Sequence, residues 1–162
     1  MVLFIQSVIL CLLFTIVIAF KYFKNDPMKG LYNYPPKIQE RVKSMEEYQG
    51  SIPTRNNKIV AKMIGGVIFV FLGVLLARVA GAEGFLEAFI HMFILFTIGN
   101  LYDLIVIDWL MFRHMKGFRI PGTEDMVSEY HNYAFHFRAF LRGIIIGFVI
   151  SIMVGLIHML IF

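Results

Sequence analysis

The sequence predicts an all-α integral membrane protein with four transmembrane helices in one bundle. Four long apolar stretches carry this prediction, at residues 2–20, 59–82, 85–112 and 139–162. A helix rises ~1.5 Å per residue, so roughly 20 apolar residues cross ~30 Å of hydrocarbon. Hydrophobic residues make up 59% of the chain and charged residues only 16%, unlike the usual soluble domain. We therefore expect all 162 residues to form a single transmembrane domain.

The first stretch, residues 2–20, is expected to be a retained membrane helix. No basic residue precedes its apolar run, and no small-residue cleavage pattern follows it, which argues against a removable secretory signal. The first positive charges, Lys21 and Lys24, come directly after the stretch. This order favours an anchor whose N-terminus faces outward.

The distribution of basic residues predicts how the bundle is oriented. Of the 15 Lys and Arg residues, 14 lie in or beside two connections, at residues 21–58 and 113–138. The positive-inside rule puts both connections in the cytoplasm, so both termini face outward (N-out/C-out). We expect a multi-pass protein of the plasma (inner) membrane. The net charge of +4 then has a topological origin, and no nucleic-acid partner is expected.

The first cytoplasmic connection is long enough to contain an amphipathic helix. Pro35 and Pro36 can open it, and Ile38, Val42 and Met45 follow at i, i+4 and i+7. Such a helix can lie on the membrane surface or dock against the inner ends of the spans. The sequence leaves both arrangements open.

The fourth span has one face made of small residues. They recur at every fourth position: Ala139, Gly143, Gly147, Ser151 and Gly155. Close backbone approach across small residues is a main source of packing energy between membrane helices. The stripe predicts either pairing with the second span inside the bundle, or a seam for a homo-oligomer or another membrane protein.

The third span carries polar residues within its apolar sequence. Asn100 and Asp103 lie three residues apart, and Asp108 precedes Trp109 at the probable interface. Asp103 is six residues from Trp109, which places it ~9 Å deeper in the membrane. A carboxyl group at that depth is a functional hypothesis by default, although interhelical hydrogen bonding is an equal alternative.

The second connection predicts a helix that continues into the fourth span. Thr123 is a suitable N-cap after the Pro121-Gly122 turn. On one continuous helix, the spacings of four, three and four put four polar residues on one face. These residues are Asp125, Glu129, Asn132 and His136.

If this face meets the third span, the cytoplasmic end of the bundle collects carboxylates and imidazoles. Asp103, Glu129, His131 and His136 are then the candidate ligands of a divalent metal ion, with zinc, iron or manganese the best match. Asp103 and His136 are also candidate catalytic residues, as acid or base. The candidate ligand-binding residues are Asn100, Asp108, Arg138 and Arg142. The two arginines belong to a basic rim, which attracts anionic lipid headgroups.

The sequence therefore favours a small membrane protein with a polar site for a ligand or metal at its cytoplasmic end. Chemistry on a lipid or isoprenoid phosphate fits this composition, with membrane lipids as partners. The alternative is a non-catalytic assembly subunit that packs through the small-residue face of the fourth span. No nucleophile elbow, glycine-rich phosphate loop or haem-attachment motif is present to decide the activity.

Overall fold

Helices are the regular elements of this chain throughout the part that the computed structural model describes, residues 1–24, 27–52 and 55–162. Residues 25, 26, 53 and 54, all in the predicted first connection, lie outside the described residues. The helices are α1 (Val2–Lys24), α2 (Pro36–Ser44), α3 (Arg55–Val79), α4 (Gly84–Tyr102), α5 (Val127–Tyr130) and α6 (Tyr133–Ile161). A π-helical segment, Asp103–Phe112, continues α4. The all-helical prediction is confirmed for the described residues.

Three helical stretches among the described residues are long and apolar enough to cross a membrane. They are Val2–Phe20, Gly84–Phe112 and Val127–Ile161. The described apolar part of α3, Met63–Val79, is shorter. Length and composition thus indicate a membrane protein.

The most extensive helix contact joins α4 and α6, and glycines of α6 make it possible. A Cβ on Gly147 would overlap the Phe96 ring, and one on Gly143 would overlap the Asn100 side chain. Ser151, between Gly147 and Gly155 in the sequence, is fully buried. Its hydroxyl donates to the carbonyl of Gly147. The absence of side chains on the glycines lets bulky groups of α4 approach the α6 backbone.

The small-residue stripe of α6 therefore packs within the chain, and its main partner is α4. Gly155 faces the ring and the carbonyl of Phe85, at the start of α4. The expected contact between α6 and α3 is also present, and at Gly73 of α3 a Cβ would meet Met92 and Val154. The stripe thus takes part in both contacts, and the one with α4 is the more extensive.

The first helix is attached to the others by polar side chains. Gln6 donates to the carbonyl of Leu76 at 3.0 Å and lies 2.7 Å from Nε2 of His91, so it links α1 to both α3 and α4. Nearer the end of the bundle that carries the two connections, the hydroxyls of Thr15 and Tyr102 are 2.6 Å apart. Such hydrogen bonds fix the position of a helix that has few close backbone contacts.

The two connections pack together into a cap over one end of the bundle. The helix predicted in the first connection is present as α2, and its apolar residues Ile38 and Val42 are buried in this cap rather than facing a membrane surface. Tyr34 donates to the carbonyl of Phe118 at 2.7 Å, which joins the first connection to the second. The amphipathic pattern therefore serves docking between the connections.

The second connection differs from the predicted continuous helix. The short helix α5 ends at Tyr130, and α6 begins anew after Asn132, whose side chain accepts from the backbone N–H of Phe135. Thr123 does not cap a helix, since it is buried and its hydroxyl contacts Tyr130 and the carbonyl of Ile120. The predicted common face is wrong, because the break before α6 separates its members.

The contact between α4 and α6 predicts that alanine at Gly147 destabilises the fold. The added methyl group would overlap the Phe96 ring, and overpacking of this kind costs about 1–3 kcal/mol. Thermal unfolding in detergent measures the effect. Gly65→Ala is the matched control, since a Cβ at Gly65 meets nothing within 4 Å. Equal unfolding temperatures for the two variants would contradict this packing.

Candidate functional site

The π-helical segment controls which polar side chains share a face of the third span. In an α-helix, residues five apart point about 140° away from each other, so Asp103 and Asp108 would face different neighbours. A π-helix bonds residue i to residue i+5, which brings such residues nearly above one another. Both carboxyl groups therefore border the same space beside α6. Segments of π geometry occur frequently at functional sites.

This space is a cavity of about 520 Å³ beneath the cap, and we call it the polar cavity. Its volume falls within the range of small-molecule sites. Helices α1 and α6, the π segment and the first connection all contribute to its wall. The polar groups that line it are Tyr32, Asn33, Asp103, Asp108, His136 and Arg142. The remaining wall is mainly aromatic and aliphatic.

Asp108 and His136 form the closest polar pair in the wall. Nδ1 of His136 lies 3.0 Å from a carboxylate oxygen of Asp108. The His136 side chain is almost fully buried, with a relative exposure of 4% for the residue, and rings of Phe112 and Phe135 pack against it. Its Nε2 has no hydrogen-bond partner among the described residues. Nδ1 thus meets Asp108, and Nε2 is the ring nitrogen left to hydrogen-bond with a ligand or water.

Asp103 lines the same cavity and lies close enough to Asp108 and His136 for their charges to act on it. It makes no side-chain hydrogen bond or ion pair to any described residue, which distinguishes it from a carboxyl group that only joins helices. Asn100, three residues earlier, has that joining role, because its amide donates to the carbonyl of Phe140 at 3.0 Å. Interhelical hydrogen bonding thus describes Asn100, whereas no such bond is present for Asp103 among the described residues.

Arg142 and Arg138 were predicted as equivalent anion ligands, but their positions differ. Both side chains are exposed, but Arg142 lines the polar cavity and Arg138 does not. The guanidinium of Arg142 donates only to the backbone carbonyl of Arg138 and has no acidic partner among the described residues. Arg142 is therefore the cation available to a ligand in the cavity.

The four predicted metal ligands do not come together. Glu129 bonds to Lys37 at 2.6 Å, and this hydrogen bond and charge raise the pKa of Lys37. His131 lies close to Arg113. Asp103 and His136 lie in the cavity, which neither of the other two lines. Within the described part of the chain, no group of three His, Cys, Asp or Glu residues is placed to hold a metal ion.

Several cavity residues were missed by sequence reasoning. Tyr32 and Asn33 come from the first connection, and Phe14 and Ile18 come from the first span. Their sequence positions are remote from the third and fourth spans, and no local pattern separates them from ordinary connection or lipid-facing residues. Only the docking of α1 and the cap brings them to the site.

A second, apolar cavity of about 310 Å³ adjoins the polar one. Phe14 and Asp103 belong to the walls of both, so the two cavities meet at these side chains. The rest of its wall is almost entirely without polar groups, apart from Asn100. We call it the apolar cavity; its other lining residues are Leu10, Gly65, Gly66, Phe69, Phe96, Gly99 and Ile150.

No protein-family model, curated protein or solved structure matches this chain. The chemical evidence for its function is therefore the site itself.

The separation of the predicted metal ligands has a direct test. We expect Glu129→Gln and His131→Ala to leave the metal content of the gently purified protein unchanged, because neither residue lines the cavity. Elemental analysis of protein without chelator or affinity-tag histidines measures this. A near-stoichiometric metal in the parent protein that either variant loses would contradict the separation.

Proposed function

We propose that this protein binds a polar ligand, the phosphate-bearing headgroup of a membrane lipid, in the polar cavity at the cytoplasmic end of a four-span bundle. The observation that carries the proposal is the shared wall formed by Asp103, Asp108, His136 and Arg142. A buried imidazole nitrogen and a carboxyl group without protein partners are costly unless a ligand or water satisfies them. Their presence in one cavity favours a binding site over simple packing.

The proposed orientation has both termini outside and both connections in the cytoplasm of a plasma (inner) membrane. The basic residues around the connections support this arrangement. The long helix α3 acts as the second span, so that the even number of crossings leaves the two termini on the same side. The polar cavity then lies at the depth of the cytoplasmic headgroups.

Arg142 supports a phosphate-bearing ligand. Guanidinium groups bind phosphate through charge-assisted hydrogen bonds, and this one has no acidic partner among the described residues. A free diphosphate is a poorer match, because two carboxyl groups share the cavity with a single guanidinium. The mixed charge favours a headgroup that carries hydrogen-bond donors beside its phosphate.

Acid–base chemistry on the bound headgroup is a second candidate function. The pairing of Asp108 with Nδ1 of His136 supports it, since a carboxylate that orients an imidazole is a common arrangement for proton transfer at Nε2. Asp103 lies close enough to affect this imidazole electrostatically. Asp103 and His136 are the two residues that the sequence predicts to be catalytic.

The assembly-subunit alternative has less support. Its proposed seam, the small-residue face at Gly143, Gly147, Ser151 and Gly155, is covered by α4 of the same chain or buried beside it. A partner that used this face would have to displace α4. Association through another face is compatible with the headgroup proposal.

Replacement of Arg142 by glutamine tests the proposal. We expect at least about tenfold weaker binding of phosphatidylethanolamine or phosphatidylglycerol, because one charge-assisted hydrogen bond contributes about 1.5–3 kcal/mol. Native mass spectrometry of the protein in detergent, titrated with each lipid, measures the affinity.

The matched control is Arg138→Gln, which removes the same charge one helical turn away and outside the cavity. It is expected to bind as the parent does. Unchanged lipid binding in Arg142→Gln, or an equal loss in both variants, would reject the polar cavity as the headgroup site.

A further inference from the structure

The two adjoining cavities are stacked along the bundle, with the apolar one deeper. On α1, Leu10 lines the apolar cavity and Ile18 the polar one. On α6, Arg142 lines the polar cavity and Ile150 the apolar one. The same order holds on the third span, where Phe96 of the apolar cavity lies seven residues before Asp103, or ~10 Å along the helix. Polarity therefore decreases from the cap toward the middle of the bundle.

This gradient matches the shape of a lipid in the cytoplasmic leaflet. A headgroup beneath the cap and a chain that points toward the bilayer centre would occupy the cavities in that order. Asp103 and Phe14 border both spaces, so the ligand would pass from one to the other without leaving the protein. An unpartnered buried nitrogen of His136 at the polar end makes the site more than an apolar groove.

The apolar cavity also has a side that faces lipid. Gly65 of α3 lines it and is exposed, and a Cβ there or at Gly66 would meet nothing within 4 Å. Two consecutive residues without side chains leave the wall thin between α1 and α3. A chain can enter laterally from the bilayer at this point.

The polar end selects among headgroups through its acceptors. Asp103 and Asp108 supply carboxyl acceptors, His136 has a ring nitrogen without a partner among the described residues, and Arg142 supplies a donor cation. A primary ammonium group has three donors and a positive charge, which complement the oxygen atoms of the two carboxyl groups. A phosphate next to it matches Arg142. A quaternary ammonium group has the charge but no N–H to donate.

We propose that the ligand is an amphipathic lipid of the phosphoethanolamine type, with its headgroup in the polar cavity and one chain in the apolar cavity, entered laterally beside Gly65 and Gly66. This inference rests on the headgroup site proposed above and specifies the class of lipid and its route. The occupant is a single lipid molecule that fills both cavities.

Blocking the apolar cavity tests the chain position independently of the headgroup. Gly66→Phe places a ring in the open space, and we expect it to reduce phosphatidylethanolamine binding at least tenfold in native mass spectrometry. Val67→Phe adds a similar bulk to the same helix at an exposed position outside the cavity and is expected to bind as the parent does. Thermal unfolding in detergent verifies that Gly66→Phe is folded.

The headgroup is tested with lipids that carry identical chains. We expect the parent protein to bind phosphatidylethanolamine at least tenfold more tightly than phosphatidylcholine, and Asp103→Asn to remove most of that difference. Equal affinity for the two lipids would overturn the ammonium selection.

The outcomes separate this inference from the headgroup proposal. Loss of binding in Arg142→Gln but parent-like binding in folded Gly66→Phe would retain the headgroup site and overturn the chain position. Parent-like binding in Arg142→Gln would reject the headgroup site, and the inference with it. If Gly66→Phe does not fold, Gly65→Leu provides the second blocking variant, and parent-like binding there overturns the chain position equally.

Discussion

The close packing of α4 against α6 is the constraint on which the rest of the molecule depends. Glycines of α6 remove the side chains that would hold the two backbones apart, and Asn100 and Phe96 fill the space beside Gly143 and Gly147. Lipid tails provide no hydrophobic drive for helices to associate, so this steric fit supplies much of the packing energy. It also fixes the rotation of both helices, which brings the acidic face of the third span to His136.

The π-helical segment aligns the two carboxyl groups, Asp103 and Asp108, beside that helix contact. It begins at Asp103 and ends just before Arg113, so both carboxyl groups lie within the geometry that aligns residues five apart. Asp108 is thereby paired with His136, while Asp103 stays without a protein partner among the described residues. A regular α-helix of the same sequence would have turned one of the two away from the cavity. The backbone geometry of the segment thus places both carboxyl groups in the wall of the cavity.

The cap and the first helix close the site from two other directions. The buried face of α2 and the hydrogen bond from Tyr34 to Phe118 hold the connections together over the cavity. Helix α1 contributes an aromatic and aliphatic wall, fixed by Gln6 and by Thr15. These parts give the site a polar end under the cap and an apolar end within the bundle. A lipid has the same division, which is why the two cavities are interpreted as one binding site.

The sequence by itself determined the helical class, the apolar stretches, the helix at Pro36–Ser44 and the position of Asp103 within an apolar stretch, because hydropathy and period depend on neighbouring residues alone. It also marked the small-residue face of the fourth span, although not its principal partner. Only the tertiary structure separated Glu129 and His131 from the cavity, since a break before Asn132 interrupts the expected helix. It alone distinguished Arg142 from Arg138 and added Tyr32 and Phe14 to the site. The physical reason is that helix rotation, π geometry and docking of distant segments depend on side-chain fit between elements, which no local pattern contains.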